Sequence, residues 1–61
     1  MKGKVFIFKE TGNEYLILEI GELKDPSTRK WLPCVTYKSI ENGKVYTREL
    51  EDFLNKFVEK V

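Results

Sequence analysis

The sequence predicts a mainly β domain with one C-terminal helix: an antiparallel meander of four to five strands, curled into a small open barrel, with the helix at residues 49–60. Three observations support this fold class. Short β-prone runs separated by turn-forming residues fill residues 5–48. Asn42 and Gly43 stand between two such runs, as is typical of a type I′ hairpin turn. Beyond residue 49, the apolar residues recur at helical rather than strand spacing.

The first two strands follow from a β-prone run, a turn and a second run. Val5–Phe8 has no helical spacing, and Gly12 and Asn13 after it favour a hairpin turn. In the next run, residues 15–20, the odd positions end in a charged residue, Glu19. We therefore predict that the even positions face the core, namely Leu16, Leu18 and Ile20.

The third and fourth strands flank the Asn-Gly turn. Residues 31–37 are aromatic and β-branched, but Pro33 cannot donate a ladder hydrogen bond, which predicts an edge strand or a bulge at that point. Residues 45–48 form the returning strand, which places Tyr46 near Tyr37.

The C-terminal segment has the pattern of an amphipathic helix. Acidic residues occupy its first turn and Lys60 its last, and both favour the helix dipole. The apolar residues form one stripe, made of Leu50, Phe53, Leu54, Phe57, Val58 and Val61.

Length and composition limit what the chain does. Its 61 residues make one domain, residues 1–61, with a thin core. The sequence has no histidine, and its one cysteine, Cys34, lies mid-strand, where a thiol usually acts as a small hydrophobe. We therefore predict no enzyme activity, no metal site and no cofactor. The apolar run behind Lys4 is too short for a signal sequence or a membrane span, which predicts a cytoplasmic protein.

Aromatic and basic residues are interleaved from residue 29 onward. Such residues on a sheet stack bases and hold phosphates in small barrels. The residues predicted to bind a ligand or partner in this way are Trp31, Tyr37, Tyr46, Arg29, Lys30 and Arg48.

A plainer interpretation stands beside this one. Tyr37 and Tyr46 are favoured as core residues with lysines as their solvated margin, whereas for Trp31 the two interpretations are balanced. Arg48 is favoured as a structural partner of Glu51 or Asp52.

The first strand is apolar on both faces. Val5 and Ile7 lie on one face, and Phe6 and Phe8 lie on the other. An antiparallel strand of a small domain normally wets one face, and two phenylalanines left in water forgo several kcal/mol at about 25 cal/mol per Å². We therefore predict that these four residues associate with a second copy in a homo-oligomer. The alternative is that the helix and the curled sheet bury both faces.

Several segments together resemble a family of short bacterial and phage proteins known only as a domain of unknown function. The resemblance covers nearly the whole chain, and the family usually has proline where this chain has Glu49. It implies a small barrel of the Src-homology-three type and supplies no activity. The segments that carry it are Gly3-Lys4, Asn13-Glu14-Tyr15-Leu16-Ile17-Leu18, Val35-Thr36-Tyr37 and Gly43-Lys44-Val45-Tyr46-Thr47-Arg48-Glu49-Leu50-Glu51-Asp52-Phe53.

Three functions follow as hypotheses. The first is a small non-catalytic interaction module that associates with itself and, if phage-encoded, acts on a host protein. The second is a nucleotide-binding or single-stranded nucleic-acid-binding protein that sequesters its ligand. The third is a structural subunit without a ligand of its own. A net charge of +1 disfavours the nucleic-acid hypothesis.

Overall fold

The computed structural model describes all 61 residues and confirms the predicted fold class: one antiparallel sheet of five strands that does not close, with one short helix near the C-terminus. The strands lie in the order β4-β3-β2-β1-β5, so the last strand returns to pair with the first. The elements are β1 Val5–Phe8, β2 Glu14–Lys24, β3 Trp31–Ser39, β4 Val45–Glu49, α1 Leu50–Lys56 and β5 Phe57–Glu59.

The core lies on the face of the sheet that the helix covers. Cross-strand partners share a face and alternate residues change face, so the pairing of Phe6 with Tyr15 and of Ile17 with Tyr37 places all four side chains on this inner face. The helix adds Phe53, which is fully buried. The whole core cluster consists of Phe6, Ile17, Val35, Tyr37, Phe53 and Phe57.

The predicted core face of β2 is wrong. Ile17 is buried, Leu16 and Leu18 are half-buried on the opposite side, and Ile20 is exposed. The register of β2 against β3 shifts between Ile17 and Glu19, where Leu18 is an extra residue. A bulge of this kind reverses the alternation of faces. Even-numbered residues such as Leu16 therefore lie on the outer face before the bulge, and Ile20 lies on the inner face after it.

The predicted helix at residues 49–60 is too long at its C-terminal end. It begins at Leu50, where the Glu49 side chain accepts a hydrogen bond from the Asp52 N–H as an N-cap, and it ends at Lys56. From Phe57 the backbone is extended and pairs with β1. This pairing supplies partners for an edge of β1 that would otherwise be free. The helix has seven residues, far fewer than a bilayer crossing needs.

The β2–β3 hairpin extends beyond the rest of the sheet. Because β4 pairs with β3 only from Cys34 onward, residues 22–33 form a two-stranded arm. The molecule is elongated and measures 34 × 19 × 18 Å. Pro33 lies on this arm, where one side of β3 has no partner strand. The predicted edge is therefore local: β3 is an edge strand at Pro33 and an interior strand beyond it.

The turn at Asn42 and Gly43 is longer than predicted. The Ser39 N–H donates to the Lys44 carbonyl, and the Gly43 N–H donates to the Ser39 carbonyl, so residues 40–43 form the loop. Gly43 has a φ of 74°, but Asn42 is not at positive φ, as a type I′ turn would require. The Asn42 side chain instead accepts a hydrogen bond from the Lys44 N–H, which stabilises the wider loop.

Candidate functional site

The inner face of the sheet opens into one pocket of about 170 Å³. All five strands contribute to it, because their register brings the end of β1 and the starts of β2 and β5 beside the β3–β4 pair. Five of its six lining residues are aromatic, and the sixth is an arginine. They are Phe8, Tyr15, Tyr37, Tyr46, Arg48 and Phe57.

The aromatic rings of the pocket hold one another in fixed orientations. Tyr37 and Tyr46 are cross-strand partners and their rings stack with centroids 5.7 Å apart. Tyr15 meets the rings of Tyr37 and Phe57 edge-on at 5.5 and 5.4 Å. Tyr37 is buried, whereas Tyr46 remains 41% exposed. The pocket therefore has a rigid aromatic wall with Tyr46 at its open rim.

Arg48 is the charged group of the pocket and is held from three sides. Its Nε donates to the Tyr37 hydroxyl at 3.2 Å, and one terminal nitrogen donates to the Asp52 carboxylate at 2.7 Å. Its guanidinium carbon lies 5.8 Å from the centre of the Phe57 ring. The hydrogen bonds to Tyr37 and Asp52 raise the pKa of Arg48. Only two of its five N–H groups are used in these bonds, so the remainder can donate to a ligand.

The same ion pair makes the stability of the domain depend on pH. The hydrogen bond from Arg48 holds the pKa of the Asp52 carboxyl below its usual value. A carboxyl whose pKa is lower in the folded than in the unfolded chain contributes stability above the ordinary aspartate value of about 4, and this contribution is lost as the pH falls through the folded pKa. We expect the free energy of unfolding, measured by urea denaturation, to fall between pH 7 and pH 3.

Asp52→Asn is expected to flatten this pH dependence, since the variant has no proton to gain at that position. The matched control is Glu51→Gln. It removes the carboxyl of the neighbouring residue in the same helical turn, and Glu51 has no ion-pair partner. Equal slopes for Asp52→Asn and the unaltered chain would contradict the assignment.

The structure divides the predicted ligand-binding residues into two groups. Tyr37, Tyr46 and Arg48 come together in the pocket. The other three lie at the far end of the arm. Tyr37 is six positions beyond Trp31 along β3, which corresponds to a distance of about 20 Å at the usual rise per residue. Trp31 is 60% exposed and has the Lys24 ammonium 5.9 Å from its ring centre. The residues beyond the pocket are Trp31, Arg29 and Lys30.

The favoured structural interpretations of two of these residues fit the observed contacts, and that of a third does not. Tyr37 belongs to the core cluster, and Arg48 pairs with Asp52. Tyr46, by contrast, is exposed at the rim. Phe8, Tyr15 and Phe57 line the pocket, although the sequence indicated self-association for Phe8 and did not indicate ligand binding for any of the three. The available signal was Tyr15, an aromatic residue at an odd position of β2, which was predicted to face away from the core.

The strand predicted to self-associate has its two faces in different environments. Phe6 packs against Phe53 at 5.2 Å and Phe8 packs against Phe57 at 5.0 Å, both on the inner face. Val5 and Ile7 lie half-buried on the outer face, which no helix covers. Both edges of the strand are occupied, by β2 and by β5. Self-association through these four residues remains a prediction, and only Val5 and Ile7 lie on the uncovered face.

The pocket presents groups that non-covalent binding uses. It offers aromatic faces, tyrosine hydroxyls and guanidinium N–H donors. Cys34 is buried and does not line the pocket. The structure has no group of three histidine, cysteine or acidic side chains placed to hold a metal ion.

Comparison with known proteins finds no matching family model, no matching curated protein and no matching solved structure.

Proposed function

We propose that this chain is a non-catalytic interaction module that binds a partner protein of the cell in which it is made. The pocket accepts an aromatic or aliphatic side chain of the partner, and Arg48 donates a hydrogen bond to an adjacent backbone carbonyl. The observation that carries the proposal is the convergence of five aromatic rings and one guanidinium on a single open pocket. Pockets of this kind accept the anchor side chains that dominate protein interfaces.

Charge favours a protein partner over a nucleotide. Arg48 is the only cation in the lining, and Asp52 already matches its charge at 2.7 Å. Arg29 and Lys30 lie on the arm, too far away to hold a phosphate at the same ligand. Phosphate binding depends on cations that are free to neutralise the ligand. A neutral side chain and a carbonyl acceptor suit this pocket better.

Nucleobase binding is the second candidate, and one observation favours it. The exposed face of the Tyr46 ring, stacked on Tyr37, is a platform on which a base could lie with Arg48 beside it. Stacking of a base on an aromatic side chain contributes about 1–3 kcal/mol without sequence preference.

A nuclear magnetic resonance titration distinguishes the two candidates. The probes are N-acetyltryptophanamide and N-acetylleucinamide on one side, and adenosine monophosphate and oligothymidylate on the other. We expect the amides to shift the Arg48 Nε–H signal and the Tyr46 amide signal, because both groups lie at the pocket. Tyr46→Ala is expected to weaken the affinity measured from these shifts about fivefold, since truncating an aromatic that carries binding energy costs about 1 kcal/mol or more.

The control variant is Trp31→Ala. It removes an aromatic side chain that lies away from the pocket and is more exposed than Tyr46. It is expected to leave the shifts unchanged. Shifts with the nucleotides alone would replace the proposal by the second candidate. No shift at Arg48 or Tyr46 with any probe, or shifts abolished by Trp31→Ala, would overturn both.

A further inference from the structure

We infer that the free edge of β4 pairs with β4 of a second copy of this chain, antiparallel and centred on Thr47. The two sheets then continue into one another across a two-fold axis. This interface is distinct from the outer face of β1, and the inference does not depend on what the pocket binds.

The hydrogen-bond pattern leaves one side of β4 without partners. The Ser39 N–H donates to the Lys44 carbonyl at the turn, so Ser39 directs its backbone groups at β4. Bonded and non-bonded pairs alternate along an antiparallel ladder, so Tyr46 and Arg48 direct their backbone groups at β3. The backbone N–H and carbonyl groups of Val45 and Thr47 consequently point outward, at the edge of the sheet.

Two other free edges of the sheet carry features that limit pairing, and the free side of β2 on the arm, residues 19–24, holds Gly21, which weakens a strand. The opposite edge, β5, is three residues long. The unpaired side of the arm carries Pro33, which has no N–H to donate. By comparison, β4 has five residues and no proline. An unpaired strand edge of this length is a template for another strand unless something blocks it.

The residues of β4 are complementary to themselves about Thr47. In an antiparallel pair with Thr47 opposite Thr47 of the second copy, Tyr46 lies opposite Arg48 of that copy, and Val45 lies opposite its Glu49. Tyr46 and Arg48 share the inner face in both copies. A guanidinium beside an exposed tyrosine ring is an attractive pair, and the symmetry forms it twice.

The same register uses groups that are accessible in the single chain. Val45 is 58% exposed, Tyr46 is 41% exposed and Thr47 is exposed. The hydrogen bond between the hydroxyls of Thr36 and Thr47, at 3.1 Å, keeps the Thr47 side chain on the outer face, clear of the Tyr46 and Arg48 pair. A second copy therefore satisfies both the backbone groups and the side chains of this edge.

The test is the molar mass in solution, measured by sedimentation equilibrium over a range of concentrations. We expect a reversible dimer. Thr47→Pro removes an outward-pointing donor, so the variant is expected to be a monomer, while Thr47→Val keeps the donor and is expected to remain a dimer. A heteronuclear correlation spectrum of each variant tests whether it is folded.

A second pair of variants tests the register itself and remains informative if Thr47→Pro does not fold. Val45→Glu brings two carboxylates opposite each other at both ends of the interface and is expected to weaken the dimer about tenfold. Val45→Lys places an ammonium opposite Glu49 and is expected to preserve it. Within one chain Val45 lies opposite Lys38, so the effects on folding have the reverse sign.

Three results would overturn the inference. They are a monomer at every concentration, a dimer that Val45→Glu and Val45→Lys affect equally, and a dimer that survives Thr47→Pro with its spectrum intact. Formation of a complex only with another protein through the β4 edge would also exclude the second copy as the occupant.

Discussion

Phe53→Ala is expected to leave the chain largely unfolded at 25 °C. Phe53 is fully buried, and its ring stacks on Phe57 with centroids 4.1 Å apart and meets Tyr37 at 5.1 Å and Phe6 at 5.2 Å. Truncating a buried phenylalanine destabilises a protein by about 3–5 kcal/mol. A single core below about 70 residues rarely supplies more than about 3–5 kcal/mol in total, and this chain has no disulfide to add to it.

The next residue provides the matched control. Leu54 belongs to the same apolar stripe in the sequence but is 49% exposed. Leu54→Ala is expected to change the free energy of unfolding by less than about 1 kcal/mol, because only about half of its surface leaves water on folding and no closed cavity forms where it stood. Far-ultraviolet circular dichroism during urea titration measures both variants. Similar losses for Phe53→Ala and Leu54→Ala would contradict the placement of the helix.

Ile17→Ala is expected to have the next largest effect, a loss of about 2–5 kcal/mol. Ile17 is 1% exposed and lies in the middle of the core cluster, opposite Tyr37. The surrounding rings are fixed by one another, so the space left by the side chain cannot close without moving several of them. The same urea titration measures the loss.

Leu18→Ala is the control for the bulge in β2. Leu18 is half-buried and is the extra residue in the register between Ile17 and Glu19. Its truncation is expected to cost clearly less than that of Ile17. A larger cost for Leu18→Ala would mean that the even positions of β2 face the core, as the sequence alone predicts.

That incorrect prediction has a physical cause. Period-two patterning assigns faces only if the alternation is unbroken, and one extra residue reverses it. The run around Leu18 is apolar on both faces before Glu19, so nothing in the composition marks where the bulge falls. The strands and the positions of their turns were predictable because β-prone runs and turn-forming residues alternate clearly from Val5 to Arg48.

The end of the helix was hidden for a different reason. Phe57 and Val58 fit the helical stripe that includes Phe53, and they also fit a β-strand. The choice between the two is made by β1, whose second edge is available for pairing with them. Tertiary pairing decides such cases, and the local pattern does not contain that information.

The pocket was partly predictable. Tyr37 and Tyr46 are brought together by a local hairpin, so a turn at Asn42 and Gly43 was enough to predict that they lie near each other. A two-residue turn would have paired Tyr37 with Arg48, and the longer loop pairs it with Tyr46. Phe8 and Phe57 come from strands that are distant in sequence, and only the pairing of β1 with β5 joins them.

The pairing of β1 with β5 has a consequence for how the chain acquires its structure. The Lys60 N–H donates to the Val5 carbonyl and the Lys9 N–H donates to the Lys56 carbonyl, so two segments that are far apart in the sequence are neighbours in the finished sheet. Joining them closes the long loop between β1 and β5, and such non-local contacts slow folding. During translation, β1 therefore has no β5 to pair with until the residues after Lys56 have emerged from the ribosome.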